Sequence, residues 1–123
     1  MPKNEFVCDC PVCNKKVVEL VFAKIQDDQT LSSIANFYQV LSDPTRCKIL
    51  AALKIHELCV CDLANVLSMT KSSVSHQLAK MKQLGVVKFR REGRKVIYSP
   101  DDNHVISIFE TTLNHVNHLN KEH

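Results

Sequence analysis

The strongest constraint on this chain is a helical apolar period that stops at a glycine and passes at once into a β-rich basic stretch. Stepping 100° per residue from Val74, Leu78, Met81 and Gly85 stay within about 40° of it. Residues 71–84 therefore read as a helix with one buried stripe, ended by Gly85. Residues 86–90 and 95–99 are rich in Val, Phe, Ile and Tyr and meet around Glu92-Gly93, which predicts a hairpin. Only two glycines and no tryptophan occur in 123 residues. So few turn residues argue against a turn-rich all-β fold and against a glycine-rich nucleotide cradle.

The rest of the chain reads as helix. Apolar spacing suggests helices over 15–27 and 30–41. Asp43-Pro44 is a helix start, with Asp as cap and Pro in the first turn, and that helix turns Ile49, Leu50 and Leu53 inward. A short helix covers 61–67, Ser68-Met69-Thr70 link it to the helix over 71–84, and a last helix covers 103–119. The expected organisation is a flexible cysteine-bearing arm (1–14), one domain (15–119) whose first and last helices dimerise, and a short tail (120–123). The fold class is mainly α with a small β-hairpin (α+β). Helix, short linker, helix, basic hairpin is a winged helix-turn-helix, here expected as a homodimer. In that topology the second helix enters a DNA major groove and the hairpin reaches the flanking backbone.

Charge supports a polyanion-facing side. Between Lys71 and Lys95 stand eight basic residues and one acid, so this window carries +7, and the chain's net +3 leaves −4 for the rest. Opposite the apolar stripe of the second helix lie Ser72, His76, Ala79 and Gln83, with Ser75 beside them; small and hydrogen-bonding side chains there suit close approach to base edges. Ser73 is counted with this DNA-binding set. Lys71 and Lys80, with Arg91, Arg94 and Lys95 on the wing, are candidates for phosphate contacts.

The cysteines suggest chemistry of another kind. No apolar run approaches the ~20 residues of a membrane helix. MPKNEFVCDC lacks the basic-then-apolar order of a signal peptide, so the cytoplasm is the expected compartment. In a reducing cytosol six cysteines read as ligands or reactive thiols rather than disulfides. Cys59 and Cys61 flank the start of the short helix, where a two-apart pair can clamp one ion. Two thiolates seldom complete a shell, and the arm supplies Cys8, Cys10 and Cys13. All-thiolate sites favour Cd²⁺, Pb²⁺, Zn²⁺ or trivalent arsenic. Cys47 stands alone, with no evident role.

A second ligand set lies on the last helix. His104, His115 and His118 fall within about 60° of one another along one edge of its apolar stripe. His104 is about 16.5 Å from His115 along the axis, too far to share an ion whose bonds to nitrogen are near 2 Å. Antiparallel pairing with a second copy would bring Asp102 and His104 of one chain to His115 and His118 of the other, an oxygen-and-nitrogen set suited to Zn²⁺.

The stretches LSDPTRCKIL (41–50), ELCVCDLANVL (57–67), SSVSHQLAKMKQLGVV (72–87) and REGRKVIYS (91–99) resemble the ArsR/SmtB family of metal-responsive repressors. The resemblance covers about residues 31–119. ELCVCDL is specific to thiolate-sensing members, and the cysteine arm with Asp102, His104, His115 and His118 brings the resemblance nearest to members that respond to cadmium, lead and zinc. It implies a homodimer that binds an inverted-repeat operator, represses an efflux or resistance operon, and leaves DNA when metal binds. It also implies that Cys59 and Cys61 join arm cysteines of the other subunit. Cys8 falls at the matching distance, while CDCPVC leaves the second arm ligand between Cys10 and Cys13. Asp102, His104 and His115 match the family's C-terminal zinc site, and His118 takes a place that holds His or Glu. Lys71, Ser72, Ser75 and His76 take its DNA-contacting positions. Competing expectations are an arsenite- or antimonite-responsive repressor and a thiol redox-switched DNA-binding regulator. With no positioned acid/base pair beside an open metal position, catalysis is not expected.

Overall fold

The computed structural model describes residues 10–122. They form α1 (Lys15–Lys24), α2 (Asp28–Val40), α3 (Pro44–Ile55), β1 (Leu58–Cys59), α4 (Val60–Leu67), α5 (Lys71–Gln83), β2 (Val87–Glu92), β3 (Lys95–Pro100) and α6 (Asn103–Glu122). The chain divides into two units, Met1–Ser32 and Ser33–His123. No helix among the described residues is long and apolar enough to cross a membrane.

In the first unit each helix starts on a side-chain cap. Asn14 accepts a hydrogen bond from the Val17 N–H at 3.1 Å, and Asp27 accepts one from the Thr30 N–H at 2.7 Å. The second cap moves the start of α2 to Asp28, two residues ahead of the expected start. None of α1 is buried, and Val17, Val18, Leu20, Val21 and Phe22 are exposed.

The second unit holds the core. Ile49, Leu50 and Leu53 of α3, Leu63 and Ala64 of α4, Val74, Leu78 and Met81 of α5, and Val86, Val87 and Val105 pack together with Val40. Asp43 caps α3 by accepting from the Arg46 N–H at 3.1 Å, with Pro44 in the first turn as expected. Between α4 and α5 the chain turns through Ser68, which adopts a left-handed conformation (φ 55°). Thr70 then caps α5 by accepting from the Ser73 N–H. Helix α5 ends in a Schellman turn: the Val86 N–H reaches the Met81 carbonyl at 2.9 Å, the Gly85 N–H reaches Lys82, and Gly85 has φ 75°.

The sheet has three antiparallel strands in the order β1-β3-β2. The hairpin is the expected one, with Phe89 opposite Tyr98 and Glu92 opposite Lys95. The short strand β1 was not foreseen: it pairs Leu58 with Tyr98 and Cys59 with Ile97. At its other end, α6 runs three residues past the expected stop at 119.

Candidate nucleic-acid interface and thiol pocket

Helix α5 is fastened on one side and open on the other. Val74, Leu78 and Met81 are fully buried, while Lys71, Ser72, Ser75, His76 and Lys80 are exposed. Ser73 differs from these: it is half-buried and its N–H is held by Thr70. The first turn carries no acid, so Lys71 adds to the positive field at the helix N-terminus.

Two contacts set the attitude of α5. Arg46 of α3 donates Nε–H to Gln77 Oε1 at 2.9 Å and an Nη1–H to the Val40 carbonyl at 3.3 Å, joining α5 to the end of α2. Lys82 Nζ sits 4.0 Å from the Phe89 ring centroid, joining α5 to the wing. Sequence reasoning did not identify Arg46 or Gln77; 31 residues separate them, and no local pattern marks the pair.

The wing cations fall into two groups. Arg90 is engaged: its guanidinium meets Glu57 through Nη1–Oε2 at 2.5 Å and Nη2–Oε1 at 2.6 Å, and reaches Glu92 at 3.2 Å. The Arg90 hydrogen bonds hold the Glu57 carboxyl below the usual range, and the carboxylates raise the Arg90 guanidinium further. Arg91, Arg94 and Lys95 are exposed, and none of the three makes an ion pair among the described residues.

Cys59 ends β1 and stands at the N-cap of α4, where its side chain makes no capping bond. Cys61 follows in the first turn and is exposed. Both thiols line a cavity of about 350 Å³ that they share with Asp62, Arg94 and Lys95. In the first unit, Cys10 and Cys13 are bonded to each other as a disulfide, with Cα atoms 5.9 Å apart, where the sequence reading treats them as ligands. Three residues of spacing allow either a disulfide or chelation. Cys8 lies outside the described residues. Cys47 donates its thiol to the Leu41 carbonyl at 3.1 Å, and burial, with the Asp43 charge, pushes that thiol up.

On α6, Asp102 caps the helix by accepting from the Val105 N–H at 3.0 Å, and its other oxygen is 3.6 Å from His104 Nδ1. The Val105 bond, then His104, hold its carboxyl low. His104 is almost fully exposed, and His115 and His118 are exposed farther along the helix. No three His, Cys, Asp or Glu side chains converge on a metal position among the described residues of one chain.

The sequence profile described as "Bacterial regulatory protein, arsR family" matches residues 43–88. The transcriptional repressor SmtB homolog of Synechocystis sp. is 37% identical over 110 residues, 89% of this chain and 83% of that protein. The cadmium resistance transcriptional regulatory protein CadC homolog of Staphylococcus aureus is 42% identical over 88 residues, 71% of this chain and 73% of that one. Among solved structures, a homodimeric winged helix-turn-helix DNA-binding domain from Mycobacterium bovis, a possible ArsR-family regulator, matches with a TM-score of 0.74 at 25% identity. That match covers 81% of this chain and 95% of that one. The fold is thus the winged helix-turn-helix expected from sequence, and the relatives are transcriptional regulators rather than enzymes. Its matched profile, its relatives and its α4-turn-α5-wing geometry agree: this chain belongs to the ArsR family and is a transcriptional regulator.

Proposed function

We propose that this chain represses transcription as a homodimer on an inverted-repeat operator and leaves DNA when Cd²⁺, Pb²⁺ or Zn²⁺ binds, so controlling a metal efflux or resistance operon in the cytoplasm. The observation that carries this reading is the thiol pair at the start of α4, the first helix of the helix-turn-helix, in a cavity shared with two wing cations. Soft sulfur donors suit these ions. The name of the Staphylococcus aureus relative, a cadmium resistance regulatory protein homolog, agrees with them.

Cys59 and Cys61 supply half of a tetrahedral shell. Arm cysteines of a second copy, Cys8 with Cys10 or Cys13, complete it; Cys10 and Cys13 serve only when reduced. An ion held there supplies a crosslink and a local change of charge. Asp102 and His104 of one protomer, with His115 and His118 of its partner, form the second, harder set, because their spacing along α6 forbids a site within one chain. Ser72, Ser75 and His76 of α5 face the major groove with half-buried Ser73 beside them, and Lys71, Lys80, Arg91, Arg94 and Lys95 reach phosphates.

The test is operator affinity with and without Cd²⁺. Wild-type protein loses about 5–150-fold, the range of a coupling of ~1–3 kcal/mol. Cys59→Ser loses this response, and full release by Cd²⁺ in that variant rejects the thiolate route. Release by arsenite at lower concentration than by Cd²⁺ would reassign the inducer. The Cys10–Cys13 disulfide favours a second reading, a thiol redox switch, for which peroxide weakens DNA binding without metal and a dithiol reductant restores it.

A further inference from the structure

We propose that Arg94 and Lys95 couple the thiol pocket to DNA, serving DNA phosphate when the pocket is empty and the metal–thiolate cluster when it is occupied. This inference rests on the reading of Cys59 and Cys61, completed by reduced arm cysteines of a second copy, as metal ligands.

The sheet makes the thiol pocket and the wing one piece. Cys59 stands opposite Ile97 across the β1–β3 ladder, and Lys95 lies two residues before Ile97 on the same strand. Side chains two apart on a strand share a face, so Cys59, Ile97 and Lys95 lie on one side of the sheet. Arg94 precedes Lys95 in the turn that Gly93 opens with φ 63°. Both cations line the cavity that holds the two thiols and Asp62. The neighbouring Arg90 is held by Glu57, whereas Arg94 and Lys95 are uncommitted among the described residues.

Charge arithmetic gives the direction. Each thiol that ligates gives its proton to solvent. Thiolates at Cys59 and Cys61 together cancel a divalent ion. Each further thiolate from the arm leaves one net negative charge in a cavity that already holds Asp62. That anion competes with phosphate for the same two side chains. Coupling of this kind weakens DNA binding by withdrawing phosphate contacts, which is measurable separately from a change in the spacing of the two α5 helices.

The experiment measures affinity for a fluorescent operator across a salt series, with and without Cd²⁺, while thiolate-to-metal absorption is followed. Full-length wild type is compared with Arg94→Gln/Lys95→Gln and with the charge-retaining Arg94→Lys/Lys95→Arg. Each phosphate contact contributes about 0.9 to the slope of log affinity against log salt, so with two such side chains in each of two protomers Cd²⁺ makes the wild-type slope shallower by about 3.6. The neutral variant has the shallow slope in both states and keeps the absorption band, and the charge-retaining variant follows wild type. A neutral variant that keeps the full wild-type response to Cd²⁺, with the band present, overturns the proposal and leaves the ligand reading standing. A wild-type protein with no such band overturns both.

Discussion

Helices α5 and α6 are both amphipathic, yet only α5 has its apolar face fully covered within the second unit. Val74, Leu78 and Met81 of α5 are each 0% exposed. Helix α6 is anchored in its first half, where Val105 is buried and Lys54 of α3 reaches Glu110 at 2.5 Å and lies 5.7 Å from the Phe109 ring centroid. Farther along, Leu113, Val116 and Leu119 are 37–43% exposed. Leu113 and Val116 also line an apolar cavity of about 210 Å³ beside Cys47 and Phe109. A helix whose stripe is satisfied inside its own unit has its other face free for a ligand. A helix whose stripe continues into solvent suits a second apolar surface, in keeping with the dimer proposed above.

The largest effect that could break this comparison comes from truncating the two stripes. Leu78→Ala should cost about 2–5 kcal/mol in urea denaturation, the usual range for a fully buried leucine. Val116→Ala should cost under about 0.5 kcal/mol in dilute protein, as for a surface change. Its effect should grow with protein concentration as copies associate. Equal losses at every concentration would remove the distinction between the helices.

The ends of α5 sharpen the same point. Thr70→Ala removes the cap on Ser73 and should cost about 0.5–2 kcal/mol. Gly85→Ala should cost about 1 kcal/mol, all of it from the backbone: an added Cβ would meet no atom within 4 Å, but φ is 75°. A neutral Gly85→Ala would mean that the Schellman turn does not set the end of the helix.

The smallest expected effect is pH-dependent. The Arg90 bonds lower the Glu57 carboxyl in the folded chain. A carboxyl lowered on folding stabilises above its unfolded pKa of about 4.3, and that contribution fades as pH falls through the lower folded value. Glu57→Gln should therefore flatten the acid limb of a Tm-against-pH curve below about pH 4 and leave its shape near neutrality unchanged. An unchanged acid limb would show that the pair adds nothing to stability.

What could be read in advance was local. The Asp43 cap, the stop at Gly85, the stripe of α5 and the hairpin around Gly93 each depend on a few neighbouring residues with distinctive chemistry. Strand β1 escaped notice because two residues have no period and their partners, Ile97 and Tyr98, are far along the chain. Apolar spacing alone starts α2 at residue 30; the Asp27 cap makes Asp28 the first helical residue. Helix α6 continues to Glu122, with Lys121 in its last turn, where a cation suits the helix C-terminus. Among the candidate site residues, exposure separates Ser73 from its neighbours on α5, which a helical projection alone did not do.

The sequence by itself determined the elements that carry function, because capping, helix termination and apolar spacing are short-range effects that act before distant parts of a chain meet. The charge asymmetry and the soft donors at Cys59 and Cys61 were equally plain in the string. Only the tertiary structure decided which cations remain uncommitted among the described residues, how Arg46 props α5, and that the thiols share one cavity with Arg94 and Lys95. Those relations depend on side chains brought together from separate elements, and a linear pattern carries no distance between residues that the fold alone makes neighbours.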